Sequence, residues 1–232
     1  MIPGIVAGTV LGGSGPSDPD FSYVQWLLHM DGTDLGTVIT DSSSIARTTV
    51  ASGATGVTSS AQAKFGPTSF RSSHDSDFAA TTDFTGLSFG TGDFAVELSF
   101  YAVDAGSFGV MLQTEGSHTG RWYMGHYPGT RQIYVQFNGA DAHFTPTNSL
   151  ALNAWNQIEW SRESGVSYFF VGGTLVYSAA DTNDYQVGAD RFHAGGGIGG
   201  IYPQYVDEVR ITVGKARHTA NFTAATAAFP DS

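Results

Sequence analysis

Residues 93–102 read DFAVELSFYA, and the period of this stretch decides the fold class. Phe94, Val96, Leu98 and Phe100 fall on one side of an extended chain, and Ala95, Glu97, Ser99 and Tyr101 on the other. That two-residue repeat belongs to a strand with one face turned to a core, because successive side chains of an extended backbone point to opposite sides. Working outward, strand-like segments recur as YVQWLLHM (23–30), GVMLQTE (109–115), RWYMGHY (121–127), QIYVQFN (132–138), WNQIEWSRE (155–163), SYFFVGGTLVYS (167–178) and YVDEVRITV (205–213). Hairpin breaks fall at PGT (128–130), NGAD (138–141) and VGGT (171–174), where glycine reaches the positive φ angles that tight turns require. No segment carries an amphipathic helical period. The Ala-rich HTANFTAATAAFP, residues 218–230, holds enough Thr, Asn and Pro to favour an extended run back over the domain. The expectation is an all-β, two-sheet antiparallel sandwich.

Composition agrees. The chain has 232 residues, 41% hydrophobic, with 16 Phe, 10 Tyr and 4 Trp, enough apolar area for one large core. A formal net charge of −11 repels phosphate backbones and anionic headgroups, so nucleic acid is not an expected partner. No run of 18 apolar residues suggests a membrane span, and Met1 to Gly13 lacks the basic start of a secretory signal. The absence of cysteine rules out disulfides, zinc–thiolate sites and thiol nucleophiles. Residues 1–22 read as an extended N-terminal arm and linker, and 23–232 as the sandwich. The arm joins a small apolar set, Ile2, Ile5, Val6, Val10 and Leu11, to a Gly/Ser/Pro/Asp run, which suits either a free terminus or docking on a partner.

Seven local patterns in order carry a resemblance. They are LLHMDGTD (27–34), AQAKFGPTSF (61–70), FGTGDFAVELSFY (89–101), ALNAWNQIEWSRESG (151–165), VGGTLV (171–176), YVDEVRITVGKARHTANFT (205–223) and AAFPD (227–231). Together, over about residues 24–231, the chain resembles the laminin-G-like jelly-roll domains of the concanavalin A-like lectin/glucanase superfamily, of the kind found in bacteriophage virion proteins. The resemblance implies that the last strand pairs with the first, bringing the ends of the domain together. It further implies a non-enzymatic structural protein at the virion surface, such as a tail, fibre or head-decoration component. Its arm would meet other virion proteins, and it would form a homo-oligomer and touch a host glycan. A free lectin module is the alternative. Two stretches depart from the pattern: Arg71, Ser72, Ser73 and His74 after KFG, and the glycine-rich 191–204.

The chemistry points to binding. Glucanases of the superfamily place paired carboxylates on one strand face in an E-x-D-x-x-E pattern, and none occurs here. The nearest pairs are Glu159 with Glu163, and Asp207 with Glu208, which as neighbours on a regular strand would face opposite ways. Seven histidines form no metal-binding spacing. No cofactor is required. Calcium is the candidate ion, since many relatives bind it through loop oxygens. Asp31, Asp34, Asp181, Asn183 and Asp184 have the ligand chemistry, though Asp-Gly and Asn-Asp are also ordinary turn residues. A carbohydrate site needs aromatic faces beside orienting polar groups, and Trp122, Tyr127, Tyr202 and Gln204 are the expected exposed set. Trp155, Ile158 and Trp160 are expected inside, with Arg210 pointing outward or pairing with a carboxylate.

Overall fold

A computed structural model describes residues 17–103, 108–127, 129–188, 190–198 and 203–232. Seventeen strands form among them: β1 Val24–Leu28, β2 Val38–Thr40, β3 Thr48–Ser52, β4 Val57–Ser59, β5 Ser69–Ser72, β6 Phe78–Thr81, β7 Phe94–Ala102, β8 Phe108–Thr114, β9 Trp122–Tyr127, β10 Gln132–Phe137, β11 Ala140–Phe144, β12 Trp155–Glu163, β13 Val166–Val171, β14 Thr174–Ala180, β15 Phe192–Ala194, β16 Gly197–Ile198 and β17 Gln204–Val213. They make two antiparallel sheets. Sheet A runs β14-β13-β12-β7-β17-β5-β4, and sheet B runs β11-β10-β9-β8-β15-β6-β3-β2 with β16 beside β8. The long β17 pairs β7 along one edge; on its other edge Gln204–Val206 meet β5 and Val209–Thr212 meet β1. The last strand therefore pairs with the first, and the Asp18 N–H donates to the Ser232 carbonyl at 2.8 Å, closing the two ends of the domain. The fold is an all-β jelly-roll sandwich, as the strand alternation implies.

The facing sides of the sheets bury a continuous core. Phe94, Val96, Leu98 and Phe100 of β7 all enter it, as the alternation predicts. At its centre Trp160 lies edge-on to Phe94 (centroids 4.7 Å), Trp122 (5.5 Å) and Tyr185 (5.1 Å), and stacks on Phe169 (5.6 Å). Such edge-to-face contacts add to what area burial alone contributes. Ile158 joins this core, but Trp155, of opposite parity, sits on the outer side against Tyr101 at 5.5 Å. The first departure from the family pattern is resolved as strand, since Arg71 and Ser72 belong to β5.

The outer face of sheet A is also buried, by a strap formed from the last residues of the chain. Phe222 N–H donates to the Gly173 carbonyl, Gln157 Nε2 to Ala225 O, and Phe229 N–H to Glu208 Oε2. Beneath the strap lies a layer of ion pairs. Arg210 makes two 2.7 Å bonds to Glu97, a third to Asp18 at 3.1 Å, and stacks its guanidinium 3.9 Å from the Phe229 ring. Arg217 binds Asp18 at 2.7 Å, and His218 binds Glu159 at 2.7 Å.

A β-bulge between Asp207 and Arg210, with Glu208 at φ +51°, alters one expectation. Val206 and Val209 both enter the core, so the extra residue turns Asp207 and Glu208 to the same, outer side. They nevertheless form no open acidic pair. Asp207 accepts from the Lys64 and Phe65 N–H groups, and Glu208 is held by His29 and Phe229. Burial, with the Glu208 charge adding to it, pushes the Asp207 pKa up to about 8, although those backbone donors oppose the shift.

Two predictions follow from this layer. Arg210→Ala leaves Glu97 buried without its bidentate partner, while Asp18 keeps Arg217, so chemical denaturation should show a loss of about 3–5 kcal/mol; a loss below 1 kcal/mol would mean the strap layer is not closed in solution. Asp207 keeps its proton in the folded state up to about pH 8, whereas the unfolded chain releases it near the ordinary 3.8. Folded stability therefore falls as pH rises through that interval. Asp207→Asn removes this slope, so its denaturation midpoint relative to wild type should be higher at pH 9 than at pH 5.

Candidate functional site

With the outer face of sheet A beneath the strap, the outer face of sheet B is the one without a covering segment among the described residues. On β9 the parity is fixed by Trp122, Met124 and His126, which point inward, so Tyr123, Gly125 and Tyr127 point out. The outward positions of neighbouring strands complete an aromatic patch. Tyr134 on β10 stacks on Phe144 of β11 (centroids 5.8 Å, 17° between planes) and meets Tyr123 edge-on at 4.9 Å and Tyr127 at 5.7 Å. Phe108 of β8 closes the cluster, 5.0 Å from Tyr127.

Gly125 makes the arrangement possible. A Cβ there would lie 3.0 Å from the Tyr123 ring, 3.3 Å from that of Tyr134 and 2.6 Å from the Gly109 carbonyl oxygen, so only a bare backbone lets the rings close over it. Tyr134 is thereby almost fully buried and forms the base of the patch, while Tyr127, 36% exposed, presents its ring to solvent.

One end of the patch is polar. Register places Gln113, Tyr123, Gln136 and Asp141 in one row across β8 to β11. Gln136 donates to Asp141 at 2.9 Å. A hollow of about 170 Å³, lined by Gln113, Arg121, Tyr123, Gln136 and Gly139, opens beside this row. It is smaller than the roughly 300–1,000 Å³ of sites that enclose a drug-sized ligand, a size suited to one ring seated at an open surface. Burial, then the Asp141 charge, raises the Tyr123 pKa, so its hydroxyl stays a neutral donor at physiological pH. The hairpin tip beside it, Asn138–Gly139, has φ of +53° and +83°, the two-residue turn expected from NGAD. Asn138 also fixes the start of β9: its side-chain oxygen accepts from Gly120 N–H, and its own N–H donates to Arg121 O.

The sequence-derived residues fare unequally. Tyr127 is on the exposed face. Trp122 is not: it is 2% exposed and packs on Phe89, Trp160 and Phe192, because its place on β9 has the opposite parity to Tyr127. Gln204 is buried as well, its amide nitrogen donating to the Gly196 and Val110 carbonyls. Tyr202 lies outside the described residues. Tyr123, Tyr134, Phe108, Phe144 and Gln136 are the residues that sequence reasoning missed. Outward parity from Tyr127 would have found Tyr123.

The candidate calcium ligands divide between separate places. Asp31 lies against Gly66, and Asp34 accepts from Ser60 N–H at 2.8 Å on an exposed turn. Asp181 is buried: Ser167 (2.5 Å), the Tyr185 hydroxyl (3.2 Å) and Asn183 N–H donate to it, and His143 Nε2 lies 3.2 Å away. Asn183 donates through its side chain to Tyr185, and Asp184 is engaged by Gln186. Among the described residues no three His, Asp or Glu side chains converge as a metal site, and Asp181 acts as a structural hydrogen-bond hub.

The fold is a two-sheet antiparallel β-sandwich. Solved structures with this architecture include the binding domain of Paraclostridial Mosquitocidal Protein 1 (TM-score 0.67, 12% identity, 85% of this chain and 50% of that one). Two others are the receptor-binding domain of botulinum neurotoxin type G (0.63, 12%, 84% and 48%) and botulinum neurotoxin type C, which depends on interaction with two ganglioside molecules to enter cells (0.63, 11%, 86% and 49%). The chain spans about half the length of these structures, and at such identity the likeness is one of fold. No family model matches the sequence, and no curated protein does.

Trp122→Ala and Tyr127→Ala separate core from surface. The first should cost about 3–5 kcal/mol by opening a cavity in the aromatic core, and the second less than about 1 kcal/mol at its exposed position. Denaturation of both variants measures the difference.

Proposed function

We propose that this chain is a non-enzymatic carbohydrate-binding β-sandwich whose site is the outer face of sheet B around Tyr123, Tyr127 and Gln136. The observation that carries the proposal is the half-open aromatic patch on the uncovered sheet, bordered by amides and a neutral phenol. Aromatic faces take the apolar side of a sugar ring, while Gln113, Gln136 and the Tyr123 hydroxyl suit its hydroxyl groups. The structural neighbours support the reading, since one of them acts through gangliosides. A hydrolytic role finds no support in the carboxylates of sheet A: Glu159 is bonded to His218 and Ser161 beneath the strap, and Asp207 and Glu208 are engaged there too.

The finer reading is a laminin-G-like module on a phage particle, at the virion surface, binding a host glycan through this face. The seven ordered sequence patterns support it. The apolar residues of the 1–22 arm support attachment to other virion proteins and assembly as a homo-oligomer; residues 1–16 lie outside the described residues. Calcium is no part of the proposed sugar contacts.

The test is a glycan array probed with the intact protein and a Tyr123→Ala/Tyr127→Ala double variant whose fold is checked by thermal denaturation. Two aromatic contacts of about 1 kcal/mol each correspond to at least a tenfold loss of affinity. Specific binding that survives the double variant would place the site elsewhere.

A further inference from the structure

Among the described residues two arginines, Arg71 on β5 of sheet A and Arg121, have no ion pair or side-chain hydrogen bond, and of the two only Arg121 borders the aromatic face. Arg47, Arg162, Arg191, Arg210 and Arg217 each have a carboxylate within 4 Å, and Arg131 is held by Asn148. The Arg121 guanidinium has neither an ion pair nor a hydrogen bond among the described residues, in a chain of formal net charge −11. It is half-buried at the entrance to β9 and has the same parity as Tyr123. It lines the hollow beside Tyr123 and Gln136, and also a second, shallower hollow formed with Ser117, His118, Thr119 and Asn138. It lies against the hairpin turn: a Cβ at Gly139 would lie 3.1 Å from Arg121 Nη2. Asp141 is hydrogen-bonded to Gln136 and forms no ion pair with Arg121.

A guanidinium with free N–H donors matches the planar, two-oxygen geometry of a carboxylate. The opposing mean charge of the protein weighs little here, since exposed charges beyond roughly 8 Å are screened at physiological salt, while Arg121 sits in the wall of the site. We infer that the face selects sugars bearing a carboxylate, sialic or uronic acids, with the acid group on Arg121 and the ring beside Tyr123. This rests on the carbohydrate-binding reading above and adds the ligand class and the residue that sets it.

The experiment pairs each carboxylated glycan with its carboxyl-reduced counterpart, in which the acid has become a primary alcohol, and includes sulfated glycans as a second anion. Wild type, Arg121→Gln and Arg121→Lys are compared. The expected result is at least tenfold preference for the acid over the reduced form in wild type, abolished by Arg121→Gln and partly kept by Arg121→Lys, with unchanged thermal denaturation. Equal binding of acid and reduced forms, preference for sulfate over carboxylate, or a preference untouched by Arg121→Gln overturns the inference. In each of these cases Tyr123- and Tyr127-dependent sugar binding still stands. Absence of binding to every glycan overturns both readings.

Discussion

The guanidinium of Arg210 joins four parts of the chain that are remote in sequence. It extends from β17, takes both oxygens of Glu97 on β7, reaches Asp18 ahead of β1, and lies on the ring of Phe229 in the strap. Few other side chains could do this, because a buried cation is tolerated only where several acceptors and a ring face replace its hydration. Once those partners converge, the end of the chain must cross sheet A and the outer face of that sheet is closed. Among the described residues, the open sheet face is then that of sheet B.

The two outer faces show how the same strand pattern serves opposite ends. On sheet A the outward layer carries the paired charges of Glu97, Glu159 and Arg210, and the strap removes them from water. On sheet B they are tyrosines, phenylalanines and glutamines without a covering segment among the described residues, so a half-buried aromatic layer faces solvent. An exposed apolar patch is a cost for a soluble domain unless something binds there. Polar edges keep the patch wettable and give a ligand directional contacts. Gly125 lets the Tyr123 and Tyr134 rings pack closely over the backbone, which limits the entropy lost when a ligand settles on them.

How much of this was legible depended on strand length. β7, β12 and β17 run nine or ten residues, long enough for period two to stand clear. β2 to β6 are three to five residues of Thr, Ser, Val, Ala and Phe, too short for alternation to be distinguished from loop. The bulge at Asp207–Arg210 was likewise hidden, because one inserted residue leaves composition unchanged while reversing the parity on which face assignment depends.

By itself the sequence determined the all-β sandwich, the pairing of first and last strands, the extended path of the C-terminal segment, and an aromatic locus at residues 121–127. The sandwich and the extended C-terminal path follow from local period and turn residues, and the pairing of first and last strands from the resemblance that the ordered motifs carry. Only the tertiary structure decided that Trp122 and Gln204 are interior, that Tyr123 and Tyr127 share a face with Tyr134 and Phe144, and that Arg121 stands unpaired beside them. The physical reason is register. A strand declares that its side chains alternate, but which alternate set meets the other sheet is fixed by partners far away in the chain.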